Sequence, residues 1–61
     1  MASSIEVRER QKHHLKSLLN IKKSNEGKDV SGLQFEIENA IAVMEQEDVA
    51  WVEKIVGIKA M

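Results

Sequence analysis

Between Leu33 and Ile58 the chain carries one apolar stripe that any fold must cover. At about 100° per residue on a helical wheel, Leu33, Ile37, Ala40, Ile41, Met44, Trp51, Val52, Ile55 and Ile58 share a face. Within it, Ile37, Ile41, Met44, Asp48, Trp51, Ile55 and Ile58 recur at alternating steps of four and three residues, the spacing of a helix seam. The only other periodic segment precedes it and is weaker: Val7, Leu15, Leu18, Leu19 and Ile21 form an arc of roughly 160°.

A chain of 61 residues makes one domain at most and has little surface to bury, and it contains no cysteine with which to staple itself. The lack of cysteine removes disulfides and thiolate zinc sites together, which leaves oligomerisation as the usual means of support. No run of about 18 apolar residues is present, and the N-terminus lacks a basic and then apolar leader pattern. A cytoplasmic protein with no membrane span is expected.

The residues around the two periodic segments predict an all-α, antiparallel two-helix hairpin filling a single domain, residues 1–61. Helix one is expected over about residues 4 to 26, opened by a capping box between Ser3 and Glu6 and closed by Lys22, Lys23 and Gly27. A loop at about 27 to 30 follows, in the glycine- and asparagine-bearing stretch that starts at Asn25. Helix two is expected over about residues 31 to 57, with Ser31 as N-cap, Gln34 completing a second capping box, and Val30 and Phe35 placed as a hydrophobic staple. It ends at Gly57, with Ile58 folding back, or runs on to Lys59. A break at Glu45-Gln46-Glu47-Asp48 is the alternative, since acids cluster there as in a first turn, but the unbroken apolar phase favours one continuous helix.

Closing such a hairpin near residue 28 sets position i beside position 57 − i. Leu18 and Leu19 then meet Ile37 and Ile41, Leu15 approaches Met44, and Val7 covers Trp51. Helix one is too narrow to cover helix two, so two hairpins are expected to dimerise into a four-helix bundle. The residues expected at a protein interface are Phe35, Ile37, Ile41, Met44, Asp48, Val49, Trp51, Val52 and Ile55. Trp51, the single tryptophan, is the first choice as an anchor on a partner chain, because tryptophan is enriched at such positions.

Charge divides the chain. Residues 1–28 carry seven Lys and Arg against three Glu, a charge of +4, and residues 29–61 carry two Lys against seven acids, a charge of −5. Mutual screening of a basic and an acidic helix accounts for this. A basic face for nucleic acid made of Arg8, Arg10, Lys12, Lys16 and Lys23 is the alternative, although these residues spread around helix one and no aromatic lies among them.

Chemistry is sparse. His13 and His14 point about 100° apart and cannot jointly chelate from a continuous helix, and Glu9 with His13 supplies only two ligands. There is no inward Glu and His pair three apart, no nucleophile with a base, and no phosphate loop, so no enzyme activity, metal or cofactor is expected. Asp48 stands out as a carboxylate on an apolar seam. It can pair with Arg8, Arg10 or Gln11, set register as a polar seam residue, or cap a third helix.

In outline a helical hairpin of this length resembles the plasmid RNA-binding four-helix-bundle regulators and the small hairpin aspartyl-phosphatases of sporulating bacteria. The phosphatase signature Ser-Gln-Glu-Leu-Asp is answered here by Ser31-Gly32-Leu33-Gln34-Phe35, so no functional residue carries over. The expectation is a small oligomeric helical interaction protein that regulates by binding another protein, with a nucleic-acid-binding hairpin dimer as the alternative.

Overall fold

The computed structural model describes residues 4–60 and contains three α-helices, α1 (Ile5–Ser24), α2 (Ser31–Ala42) and α3 (Gln46–Val56). The all-helical class read from periodicity is what is seen. The second half is divided into two helices, the alternative to the continuous helix that the apolar phase favours.

α1 starts at Ser4, whose Oγ accepts the Val7 amide at 3.2 Å and so satisfies one of the orphan donors of the first turn. The expected Ser3 to Glu6 capping box involves a residue outside those described. The helix closes at Asn25, whose amide donates to the carbonyls of Ile21 and Lys22 while its Nδ2 donates to Ile21 O at 2.8 Å. Gly27, at φ +86°, then reverses the chain in the left-handed region that glycine tolerates best.

α2 begins one residue away from the expected cap. Val30 is the N-cap with no side-chain bond of its own, and Asp29 Oδ1 accepts the Ser31 amide from outside the helix at 3.1 Å. The Ser31 to Gln34 capping box does not form, because the Gln34 amide is drawn into tertiary contacts. Its Oε1 accepts from Lys22 Nζ at 2.8 Å and its Nε2 donates to Ala60 O at 2.9 Å.

The continuous helix expected over residues 31 to 57 is corrected to two. The amides of Val43 and Met44 reach back only to Ala40 and Ile41, the tightened bonding of a helix end, and Glu45 takes an extended conformation with ψ 141°. Glu45 O then accepts the amides of Asp48 and Val49, which starts α3. Neither glycine nor proline marks the site. The physical reason lies in tertiary coverage: one straight helix in the hairpin register would carry Ile55, Val56 and Ile58 past the start of α1, whereas folding back brings Val52 and Val56 onto the same core. Glu47 and Asp48 in the first turn also suit the positive end of the new helix.

α1 is the shared support on which both other helices lie. It runs antiparallel to α2, with Lys22 beside Gln34 at one end and the Gln11 amide donating to Val43 O at 3.3 Å at the other. It runs parallel to α3, with Arg8 at the start of α3 and Lys23 Nζ donating to Val56 O at its end, 3.1 Å away. Leu15, Leu18, Leu19, Ile37, Val52, Val56 and Ala60 form the interior, and Leu33, Ala40, Ile41, Met44, Val49 and Ile58 pack around it.

Gly57 closes α3 in the left-handed conformation, φ +89°, as one of the two expected endings has it. Ile58 packs at the core's edge and Ala60 is fully buried, its amide donating to Glu53 Oε2 at 2.7 Å. A chain of bonds from Lys22 through Gln34 and Ala60 to Glu53 thereby ties α1, α2, the tail and α3 together.

Candidate interaction surface

The interface residues expected from the sequence separate into three groups. Ile37, Val52 and Asp48 are interior, occupied by contacts within the chain itself. Ile41, Met44 and Val49 are half-buried at the rim of the same core. Phe35, Trp51 and Ile55 remain exposed, at 65%, 50% and 48%. Phe35 stands on the solvent side of α2, on the wheel opposite Ile37, without an exposed apolar neighbour on that helix beyond Ala42. It forms no patch.

Trp51 and Ile55 lie one turn apart on α3 and differ from Phe35 in how they are held. Lys12 Nζ sits 4.9 Å from the centre of the Trp51 ring, within cation–π range, and that same ammonium is ion-paired with Glu9 Oε1 at 3.0 Å. Most of the Lys12 side chain is covered as a result, with 19% exposed, so its aliphatic stem serves as packing and its charge stays at the edge. The expected cover for Trp51, Val7, does not fill that role. Val7 lies on the α2 side of α1 by the wheel, because α3 runs back parallel to α1 rather than extending α2.

Beside Trp51, at the start of α3, lies a two-point ion pair between α1 and α3. Arg8 Nε donates to Asp48 Oδ2 at 2.9 Å and Arg8 Nη2 donates to Asp48 Oδ1 at 2.8 Å, a two-pronged pairing. The same Nη2 reaches Glu47 Oε1 at 2.9 Å. The hydrogen bonds from Arg8 hold the Asp48 carboxyl below its ordinary value; burial opposes this, and the positive charges of Arg8 and Lys12 reinforce it. Arg8 is shifted in the opposite sense, further above its already high value, chiefly by the Asp48 bonds. Of the three roles open to Asp48 in the sequence, pairing with Arg8 is the one observed. It also sits in the first turn of a third helix, without capping it: the N-cap is Glu45.

The basic set Arg8, Arg10, Lys12, Lys16 and Lys23 does not converge. Arg8 is bound to two carboxylates, Lys12 to Glu9 and the tryptophan ring, and Lys23 to a carbonyl. Arg10 and Lys16 are exposed, on opposite flanks of α1. His13 and His14 are likewise exposed, and His14 lines a shallow groove with Arg10, Gln11, Ala40 and Val43. A hollow among Lys22, Lys23, Lys28, Val30 and Ile58 measures about 230 Å³, below the roughly 300 to 1,000 Å³ usual for a small-molecule site. Among the described residues no helix is long and apolar enough to cross a membrane.

Comparison with known protein families, curated proteins and solved structures finds no match to this chain.

Proposed function

We propose that this chain is a small helical interaction protein that assembles with itself and regulates by occupying the surface of another protein. One observation carries the reading: the sole tryptophan is left half-exposed on α3 next to an exposed Ile55, although the chain buries the smaller Val52 on the same helix completely. Tryptophan held by a neighbouring side chain is a low-entropy anchor, the kind of residue that dominates binding energy at protein surfaces. The four-helix bundle expected from two unbroken helices loses its premise, since α3 now covers the core within one chain. Assembly would instead join intact three-helix chains through their outer faces.

A photo-crosslinking residue placed at Trp51, with a control at Glu38 on the exposed side of α2, tests this in the cells that make the protein. Discrete protein adducts are expected from position 51, competed by unlabelled chain, and none of these from position 38. Identical adducts from both positions, or adducts to RNA or DNA alone, would overturn the reading.

A further inference from the structure

The outward stripe of α3 carries a charge pattern that selects its own occupant. Asp48, Val52 and Val56 point into the molecule, and on the opposite side Glu47, Ala50, Trp51 and Lys54 fall within an arc of about 100°. All four are exposed. Glu47 and Lys54 stand seven residues apart, about 10.5 Å along the axis, with Ala50 and Trp51 midway between them. The stripe is therefore negative at its start, apolar at its centre and positive at its end.

We infer that this stripe is an isologous docking surface for a second copy of the chain, with the two α3 helices antiparallel about a two-fold axis between Ala50 and Trp51. The inference rests on the reading that the outer face of α3 is a contact surface, and it names the partner. A two-fold contact must be self-complementary, each residue meeting the one that meets it in return. In the antiparallel arrangement Glu47 of each copy faces Lys54 of the other. The parallel arrangement sets Glu47 against Glu47 and Lys54 against Lys54, which repels at both ends.

The centre fits the same geometry. Ala50, the smallest residue of the stripe, falls opposite Trp51 of the second copy, so the ring has a surface to lie on without forcing the helices apart. Lys12 already restrains that ring from the α1 side, which lowers the entropy lost on docking. Glu47 uses only Oε1 toward Arg8 and its side chain is 78% exposed, leaving Oε2 available to Lys54. A contact built on an 11-residue helix falls at the low end of interface sizes, so the dimer is expected to form at micromolar to submillimolar concentration rather than nanomolar.

Sedimentation equilibrium and Trp51 emission on the full chain decide it, with Glu47→Lys, Lys54→Glu, the double exchange, Trp51→Ala, and an equimolar mixture of the two single variants. Circular dichroism of each confirms that the helices are intact. Each single reversal places like charges at both ends of its own dimer and is expected to weaken self-association about tenfold, two symmetric rim pairs being lost at once. The mixture is expected to recover the parent's affinity, since one variant then offers two lysines to the other's two glutamates, and so is the double exchange. Trp51→Ala should abolish the dimer, and dilution of the parent should shift tryptophan emission to the red. A parent that stays monomeric throughout, or single variants that associate as the parent does with no preference in the mixture, would overturn the antiparallel dimer. A monomeric parent whose position-51 crosslinker still captures a different protein leaves the interaction reading standing while this inference fails.

Discussion

Arg8, one turn into α1, clasps Asp48, in the first turn of α3, with two hydrogen bonds of 2.9 and 2.8 Å across 40 positions of sequence. The pair fixes where the folded-back helix begins. Among the described residues Asp48, 5% exposed, has no side-chain partner but Arg8, whereas Arg8 lies nearer water and also holds Glu47. The two ends of the contact are therefore unequal in what they lose when the other is removed.

That inequality sets the first prediction. Arg8→Ala leaves a buried carboxylate unpaired and should lower the urea midpoint substantially, more than Glu47→Ala. Asp48→Leu frees Arg8 to turn to solvent and Glu47 while adding apolar volume beside Trp51, so its loss should be smaller than that of Arg8→Ala. Equal midpoints for Arg8→Ala and the parent would remove the pair from any role in holding α3.

The second prediction follows from the direction of the Asp48 shift. A carboxyl held below its ordinary value binds a proton less readily when folded than when unfolded, so its stabilisation is complete above the unfolded value, about 3.9. It is lost as pH falls through the lower folded value. Stability of the parent should therefore decline below about pH 4, and Asp48→Asn, although less stable at neutrality, should show a shallower decline there. Denaturation midpoints from pH 7 to pH 2 measure this, and parallel curves for the two proteins would sink the linkage.

Much of this arrangement is legible in the residues, for definable reasons. The turn after Asn25 and the end at Gly57 have local chemistry that acts wherever the chain goes. A hairpin register brings Arg8, Arg10 and Gln11 near Asp48 without choosing among them, and the pairing formed, with Arg8, survives the break because a hairpin and a folded-back helix bring the same residues together at that end of the molecule. The break at Val43 to Glu45 is legible only in part: the acids from Glu45 to Asp48 mark it as the alternative, as a first turn would, but no glycine or proline stands there and the apolar phase runs through it. Its cause is coverage of Val52 and Val56 by α1, a relation between distant segments that periodicity cannot register. The same event moved Val52 and Asp48 from an expected interface to the interior and left Trp51 and Ile55 outside.

The third prediction contrasts two neighbours on α2. Ile37 is wholly buried among residues of all three helices, and Ile37→Ala should cost roughly 2 to 5 kcal/mol through lost burial and the cavity left behind. For a chain of this size the whole stability is of similar order, so the variant should be largely unfolded at 37 °C. Phe35→Ser, at a site 65% exposed, should change stability by less than about 0.5 kcal/mol and leave self-association unaltered. Thermal melts and sedimentation of both variants check this, and a Phe35→Ser chain that loses its assembly would place the contact surface on α2 instead of α3.

The last prediction puts the chain break itself to the test. Glu45 is the N-cap of α3, with ψ 141°, and its carbonyl meets the Asp48 amide, yet its side chain makes no capping bond of the kind that a shorter oxygen-bearing residue supplies. Replacing it with Ser or Asp should set an oxygen within reach of the amide of Glu47 or Asp48 and stabilise the fold by about 0.5 to 1 kcal/mol. The sign discriminates between the two architectures. In a continuous helix the same position would be interior, and Ser or Asp, both weaker helix formers than Glu, would cost a few tenths of a kcal/mol. Chemical denaturation of Glu45→Ser, Glu45→Asp and Glu45→Ala separates the cases, because Ala favours a helix interior and serves poorly as a cap. With the chain broken here, Ser and Asp should rise above the parent and Ala should not; a gain with Ala and losses with Ser and Asp would mean that α2 and α3 are one helix in solution.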